Sequence, residues 1–325
     1  MCHHIKATFL GLGAFCSMGL FNACKNSTRV DESPSGQDEK LRIMVSVPPL
    51  ADLVRKVGGK HVHIDVLVDN GQDPHTFSPS PVQMKALGKA DILLTVGMPF
   101  EETLVHKVSD TNIGITVVDA SAGIEKLGLE HEHNDHEEEN LPATGEGATE
   151  GTHDHHDHDF DPHVWLAPYS IKVQLENIGR ALAKAIPEQA ATFADNLEAS
   201  KAQLAVAHGQ IAGKLKPFAG REFFVFHPAF GYFAHEYDLE QIAIEIGGHS
   251  PTPKEMIGFL AVAKEANIKV IFVQPQFDPR SAEVIAKELG AKVALLNPLA
   301  PDVIDNLHAI ADAIVAGFSD PEDRP

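Results

Sequence analysis

The chain has 325 residues, which is enough for two domains of ordinary size, and 43% of them are hydrophobic. Its formal net charge of -20, with no basic stripe that interleaves aromatic residues, argues against a nucleic-acid partner. The three cysteines, Cys2, Cys16 and Cys24, lie near the start of the chain, so the remainder offers neither a disulfide framework nor a thiolate for a metal.

Residues 1–24 have the pattern of an export signal. An apolar run from Ala7 to Ala23 follows a short polar start and is too short to span a membrane comfortably. The residues before Cys24, LFNA, are similar to the lipobox of bacterial lipoproteins, which predicts lipid attachment at Cys24. Simple cleavage to a soluble periplasmic protein is the alternative. Residues 25–40, rich in Ser, Gly and Asp, are expected to form a flexible tether.

Residues 41–186 alternate short β-branched runs with helical stretches, which predicts an α/β lobe built on a mainly parallel sheet. The same alternation restarts over residues 217–319 and predicts a second βα-repeat lobe. Between them, residues 187–216 carry apolar residues at helical spacing behind Pro187, and proline is favoured at the first position of a helix. The expected architecture is therefore two α/β lobes joined by one long rigid helix.

Three histidines stand where ligands collect in α/β proteins, beyond the end of a strand or at the entrance to a helix. His75 follows HIDVLV in the stretch DNGQDPHTFSPSP, and His227 follows FFVF in FHPAF. His163, in DPHVWLAPYS, lies in the same Asp-Pro-His motif as His75. The prolines next to the three histidines stiffen each loop. Each histidine alone could be an ordinary surface or core residue. Three converging neutral imidazoles, however, would suit Zn²⁺, whereas Mn²⁺ favours carboxylate oxygen.

The segments DPHTFSPSP, DPHVWLAP, FHPAFGYFAHEY, SPTPKEM and LLNPLAPDVIDNL together resemble the zinc-binding solute-binding proteins of bacterial ABC importers, the cluster A-I family of metal-binding lipoproteins. The resemblance extends from about Leu41 to Phe318, interrupted by residues 130–159. It implies one metal in the cleft between the two lobes, little domain closure on binding, and a ligand role for His75, His163 and His227.

Two positions of this resemblance bear on the identity of the metal. Manganese-binding members usually have a glutamate where this chain has His227, which favours zinc. The fourth position is usually an aspartate, whereas here it is Asn297, a poorer ligand, so a water or a nearby side chain is expected to complete the shell. Asp73 is expected to orient the loop as a hydrogen-bond acceptor. His249 is a further candidate near the cleft, with an ordinary solvated loop histidine as the alternative.

Residues 130–159 hold eleven acidic residues, seven histidines and no Lys or Arg. This stretch has too few apolar side chains to order itself, so a flexible loop near the mouth of the cleft is expected. Its histidines stand one or two residues from carboxylates and are predicted to bind additional zinc ions weakly; a solubilising acidic spacer is the alternative. These histidines are His131, His133, His136, His153, His155, His156 and His158.

The sequence as a whole predicts a monomeric, non-enzymatic carrier that holds one Zn²⁺ tightly. It is expected in the periplasm or at the outer face of the cytoplasmic membrane, delivering zinc to an ABC permease, with a periplasmic zinc chaperone as a further candidate partner. A manganese or iron carrier of the same transporter class is the nearest alternative. A zinc hydrolase would need a general base, and no Glu stands near the histidines at metalloprotease spacing. A surface adhesin is the third alternative, but one Trp and three Tyr offer little aromatic surface.

Overall fold

A computed structural model describes residues 40–69, 71–111, 114–128, 160–245 and 252–318. Several positions predicted from the sequence lie outside these residues: the export signal, Cys24, nearly all of the tether, His249 and the histidines between residues 130 and 159. Within the described residues, no helix is both long enough and apolar enough to cross a membrane.

The first lobe is a four-stranded parallel sheet with connecting helices. The strands lie in the order β2-β1-β3-β4, and Val45 at the end of β1 pairs with Val66 on one side and Leu94 on the other. Its elements are β1 (Leu41–Val45), α1 (Pro48–Gly58), β2 (Val62–Val66), α2 (Pro81–Leu87), β3 (Ile92–Thr95), α3 (Pro99–Thr111) and β4 (Thr116–Asp119).

The second lobe repeats this topology. Its strands lie in the order β6-β5-β7-β8 and are also parallel. Val225 at the end of β5 pairs with Ala243 on one side and with Phe272 on the other. The elements are β5 (Glu222–Val225), α6 (Gly231–Glu236), β6 (Glu240–Ala243), α7 (Pro253–Glu265), β7 (Val270–Val273), α8 (Arg280–Leu289), β8 (Lys292–Leu295) and α9 (Val303–Phe318). The predicted fold class, two α/β lobes with parallel sheets, is confirmed.

Two helices lie between the sheets in the chain, α4 (Pro168–Ala185) and α5 (Ala190–Leu215). The 26 residues of α5 span roughly 39 Å at 1.5 Å per residue. A short 3₁₀ turn, Pro187–Gln189, precedes α5, so Pro187 lies just before the long helix. α5 packs against α4, α1 and α9 and buries Phe193, Leu204 and Ile211. The connection is therefore a packed layer of helices and not an isolated rod.

One hydrophobic core runs through both lobes. Leu94 of the first sheet, Trp165 before α4, and Phe230 and Leu307 of the second lobe all belong to the same buried cluster. A smaller cluster, which includes Phe224, lies between the other face of the second sheet and helices α7 and α8. Because the larger core is continuous, the apolar packing that stabilises each lobe also holds the two lobes together.

Directional bonds reinforce this shared core. The indole N–H of Trp165 donates to the carbonyl oxygen of Pro298 at 2.7 Å, and the N–H of Val303 donates to the carboxylate of Asp52 in α1 at 3.2 Å. Both bonds join residues more than a hundred positions apart in the chain. The first bond holds the chain just after β8, and the second holds the start of α9 against α1 of the first lobe.

Candidate metal centre

His75 lies in the loop between β2 and α2. One carboxylate oxygen of Asp73 accepts the N–H of His75 at 2.9 Å, and the other accepts the hydroxyl of Thr76 at 3.0 Å. Gln83 of α2 donates its side-chain amide to the carbonyl oxygen of Leu67 at 2.6 Å, which ties the start of α2 back to the end of β2. The loop is thereby held at both ends, and His75 is half-buried within it.

His163 lies in a second Asp-Pro-His turn, just before α4. Asp161 accepts the N–H of His163 at 2.9 Å, as Asp73 does for His75, and the same oxygen of Asp161 lies 2.6 Å from Nδ1 of the His163 ring. The second oxygen of Asp161 lies against the start of α6, where a Cβ on Gly231 would be only 2.6 Å away. Glycine at this position therefore makes room for the carboxylate that orients His163.

His227 follows β5 in the second lobe. Its ring Nδ1 lies 2.8 Å from a carboxylate oxygen of Glu245, which follows the adjacent strand β6, and both side chains are buried. Phe277 stacks on the imidazole with ring centroids 5.0 Å apart and planes inclined by 27°. The ring of His227 is thus fixed at one nitrogen and on one face, and its Nε2 is left for another partner.

The three Nε2 atoms converge on one point. That of His75 lies 3.2 Å from that of His163 and 3.1 Å from that of His227, and the three ligand atoms all lie within 4.8 Å of one another. Two ligand nitrogens bound tetrahedrally to Zn²⁺ would be separated by roughly 3.3 Å, given Zn–N distances near 2.05 Å. The structure therefore brings together the three histidines chosen from the sequence, at a spacing that suits one metal ion.

Burial keeps His75 and His163 neutral, the form that binds metals. Desolvation, followed by the charges that His163 and His227 would carry, lowers the pKa of His75 from 6.5 to about 3. Desolvation likewise lowers the pKa of His163 well below 6.5, with a smaller contribution from His227. Burial raises the pKa of the Asp161 carboxyl to about 7, although the N–H of His163 and the charge of His227 oppose this shift.

Asp161 and Glu245 are the functional residues that the sequence reasoning missed. Each lies against the Nδ1 of a buried histidine, an arrangement that orients the ring and leaves its Nε2 for another partner. The repeated Asp-Pro-His motif is a usable signal for Asp161, because Asp73 occupies the same position before His75. Glu245 has no local motif, and its role depends on β6 lying beside β5.

Asn297 lies after β8 with its amide oxygen already engaged. This oxygen accepts the N–H of Leu299 at 3.0 Å and the side-chain amide of Gln276 at 3.3 Å. An amide oxygen has two lone pairs, so direct coordination of a metal through it would require one of these bonds to break. A water as the fourth ligand is consistent with this arrangement and remains a prediction.

Comparison with known proteins points to one family. The family model for the periplasmic zinc-uptake complex component A, ZnuA, matches residues 43–317. The zinc-binding protein AdcA of Streptococcus pyogenes serotype M3 is 30% identical over 264 residues, which cover 80% of this chain and 50% of AdcA. The chain thus spans about half the length of this curated relative.

Solved structures give the same result. A crystal structure of ZnuA superposes with a TM-score of 0.75 at 34% identity, covering 86% of this chain and 100% of that one. A deletion mutant of ZnuA with zinc bound also gives a TM-score of 0.75, at 33% identity, with 88% of this chain and 100% of the other covered. The residues matched by the family model, 43–317, span both lobes and include His75, His163 and His227.

Proposed function

Since the chain belongs to the family of the periplasmic zinc-uptake complex component A, we propose that it captures Zn²⁺ outside the cytoplasm and delivers it to an ABC permease. The observation that carries this proposal is the convergence of three Nε2 atoms, from His75, His163 and His227, in a largely buried cluster. In this proposal His75, His163 and His227 are the ligands of a single tight site, and a water occupies the fourth position.

The charges around the cluster favour a divalent ion. Three neutral imidazoles contribute no net charge, while Asp161 and Glu245, each bonded to the far nitrogen of a ligand ring, contribute two negative charges when ionised. A bound Zn²⁺ would then make the buried assembly neutral overall, which removes much of the cost of burying charge. The same carboxylates would raise the electron density on the coordinating nitrogens.

The donor set supports zinc as the cargo in preference to manganese. All three proposed ligand atoms are imidazole nitrogens, which zinc prefers, while manganese prefers carboxylate and water oxygens. Asp161 and Glu245 are held against Nδ1 atoms and so serve as partners of the histidines. In this carrier zinc is bound and released unchanged, and we assign the chain no catalytic step.

The wider setting of the protein is also part of the proposal. We place the chain in the periplasm or at the outer face of the cytoplasmic membrane, as a monomer, with lipid attached at Cys24. The seven histidines between residues 130 and 159 would bind further zinc ions weakly, and a periplasmic zinc chaperone is a candidate second partner. An ABC permease is the expected recipient because components of this family serve ABC importers.

A competition titration with Zn²⁺ and Mn²⁺ tests the proposal. The full chain, a variant lacking residues 130–159 and a His227→Ala variant would be compared with a chelator of known affinity. One tight zinc equivalent should survive removal of residues 130–159, resist excess manganese and be lost in His227→Ala. Preferential binding of manganese, or tight zinc binding that persists in His227→Ala, would contradict the assignment of the site.

A further inference from the structure

Gln274 holds the main chain of His227 from the neighbouring strand. It directly follows β7 and is fully buried. Its side-chain amide makes two hydrogen bonds with one residue: Nε2 donates to the carbonyl oxygen of His227 at 2.8 Å, and Oε1 accepts the N–H of His227 at 3.2 Å. A single side chain therefore satisfies both backbone polar groups of a proposed zinc ligand.

Two prolines explain why a side chain is needed at this point. The N–H of Phe226 still donates to the carbonyl oxygen of Phe272 at 2.8 Å, so the two strands remain joined up to that residue. Beyond it, Pro228 follows His227 and Pro275 follows Gln274. Because proline has no N–H, neither Pro228 nor Pro275 can donate a backbone hydrogen bond to a neighbouring strand. The amide of Gln274 supplies a donor and an acceptor to the backbone of His227 just before this point.

We propose that Gln274 is a positioning residue that sets the location of His227 in the zinc site. This inference rests on the proposed zinc function. Glu245 and Phe277 fix the rotation of the imidazole, but they act on the ring alone. Gln274 fixes the backbone from which the ring projects, and with it the distance of His227 Nε2 from the other two ligand atoms.

Only a carboxamide of this length meets both requirements. A carboxylate would accept the N–H of His227 but would face the carbonyl oxygen without a donor. An apolar side chain would leave the N–H without a partner and the carbonyl oxygen with the N–H of Ala229 alone, at 2.9 Å. A buried N–H left without a partner would shift to find another bond, and the ring of His227 would move with it. Outer partners of metal ligands typically contribute 10–100-fold to metal affinity, so we expect an effect of about that size here.

The test compares Gln274→Met with a matched control in the full chain. Methionine keeps the length and bulk of the side chain but removes both hydrogen bonds. The control is Asn177→Leu, which removes a buried α4 amide whose Nδ2 donates to the carbonyl oxygens of Ala120 and Ala122 at 2.8 and 2.9 Å. Each protein would be titrated with Zn²⁺ against a chelator, and its free energy of unfolding without metal would be measured by denaturant titration.

Gln274→Met is expected to bind Zn²⁺ about 10–100-fold more weakly than the wild type, while Asn177→Leu loses stability but keeps wild-type affinity. Co²⁺ in place of Zn²⁺ gives a second measurement, because its visible spectrum depends on ligand geometry. That spectrum should change in Gln274→Met and stay unchanged in Asn177→Leu. A general loss of stability would not produce this difference between the two variants.

Three results distinguish the inference from the function on which it rests. If the wild type does not bind Zn²⁺ tightly, the proposed function fails. If the wild type binds tightly and Gln274→Met matches it in affinity and Co²⁺ spectrum, the positioning role is overturned alone. Equal weakening in Gln274→Met and Asn177→Leu would also overturn it. Should Gln274→Met not fold, Gln274→Asn, whose amide is one methylene too short to keep both bonds, must still weaken binding.

Discussion

The two lobes share one strand order but differ in the residues that follow their strands. The pairing of Val45 with Val66 in the first sheet corresponds to that of Val225 with Ala243 in the second. Two residues beyond these pairs, the first lobe has Val47 and Val68, both fully buried. The second lobe has His227 and Glu245 at the same positions, joined by a 2.8 Å bond.

The contrast shows that the fold supplies a location and that individual residues supply the chemistry. Where the first lobe has two buried valines, the second has a proposed metal ligand and its carboxylate partner. The first lobe contributes His75 from a loop several residues beyond β2, and not from the strand end itself. The proposed site therefore combines ligands fixed by buried partners with one ligand carried by a surface loop.

The largest expected effect comes from making the second lobe resemble the first. A chain with both His227→Val and Glu245→Val should lose tight zinc binding by more than about 100-fold, exceeding the usual effect of losing an outer partner alone. Its metal-free form should be as stable as the wild type or more stable by about 1 kcal/mol, because apolar residues replace a buried polar pair. Chelator competition and denaturant titration measure the two quantities. Tight zinc binding by this double variant would show that His227 and Glu245 do not distinguish the second lobe from the first in function.

A second prediction concerns Glu101 in the first lobe, whose carboxylate accepts the N–H groups of Val96, Gly97 and Met98 just after β3. Val96 corresponds in register to Gln274. At this position the first lobe has a carboxylate that binds backbone N–H groups, and the second lobe has the neutral amide of Gln274. Burial raises the pKa of Glu101 from 4.5 to about 7.

A raised carboxyl pKa favours the folded state fully below pH 4.5, and this contribution is lost as the pH rises through about 7. Between pH 4.5 and 8 the free energy of unfolding of the wild type should therefore fall relative to Glu101→Gln by as much as about 3 kcal/mol. Denaturant titrations at several pH values would measure the difference. A difference that does not vary with pH would mean that Glu101 does not titrate in this range.

Neutralising one carboxylate partner should have a smaller effect than removing its histidine. Glu245→Gln and Asp161→Asn are each expected to weaken zinc binding about 10–100-fold, because the ring loses the anion that orients it and offsets the charge of the ion. Asp65→Asn is a suitable control, since its carboxylate lies 3.6 Å from the exposed His63. Isothermal titration in the presence of a competitor measures all three variants. Equal affinities in the variants and the control would show that the two carboxylates contribute nothing to the site.

The smallest effect is expected in the loop of the first lobe. Asp73→Ala removes the acceptor of the His75 N–H and of the exposed Thr76 hydroxyl but leaves the ring of His75 intact. Loss of the hydrogen bond to His75 costs about 1 kcal/mol, which corresponds to roughly fivefold weaker zinc binding. The rate of zinc release to a chelator, followed by stopped flow, should rise by a similar factor. An effect as large as that of Glu245→Gln would mean that the loop is as important as the strand ends.

The sequence predicted the features that depend on local pattern. Alternating apolar runs predicted both parallel sheets, and the prolines next to His75, His163 and His227 singled out all three converging histidines. It did not reveal Glu245 or Gln274, because their roles depend on which strands lie next to β5. Strand order is a property of the whole fold, and no pattern within a few residues of Glu245 or Gln274 specifies it.

The continuous core between the lobes has a consequence for transport. A protein whose two halves share one packed interior, tied further by Trp165 and Val303, cannot signal its load by swinging open and shut as a jointed clamp does. If the chain is the carrier proposed above, we expect the difference between its full and empty forms to be confined to a small area around the ion. We therefore expect the proposed permease to distinguish the two states by the local surface around His75, and not by the outline of the whole molecule.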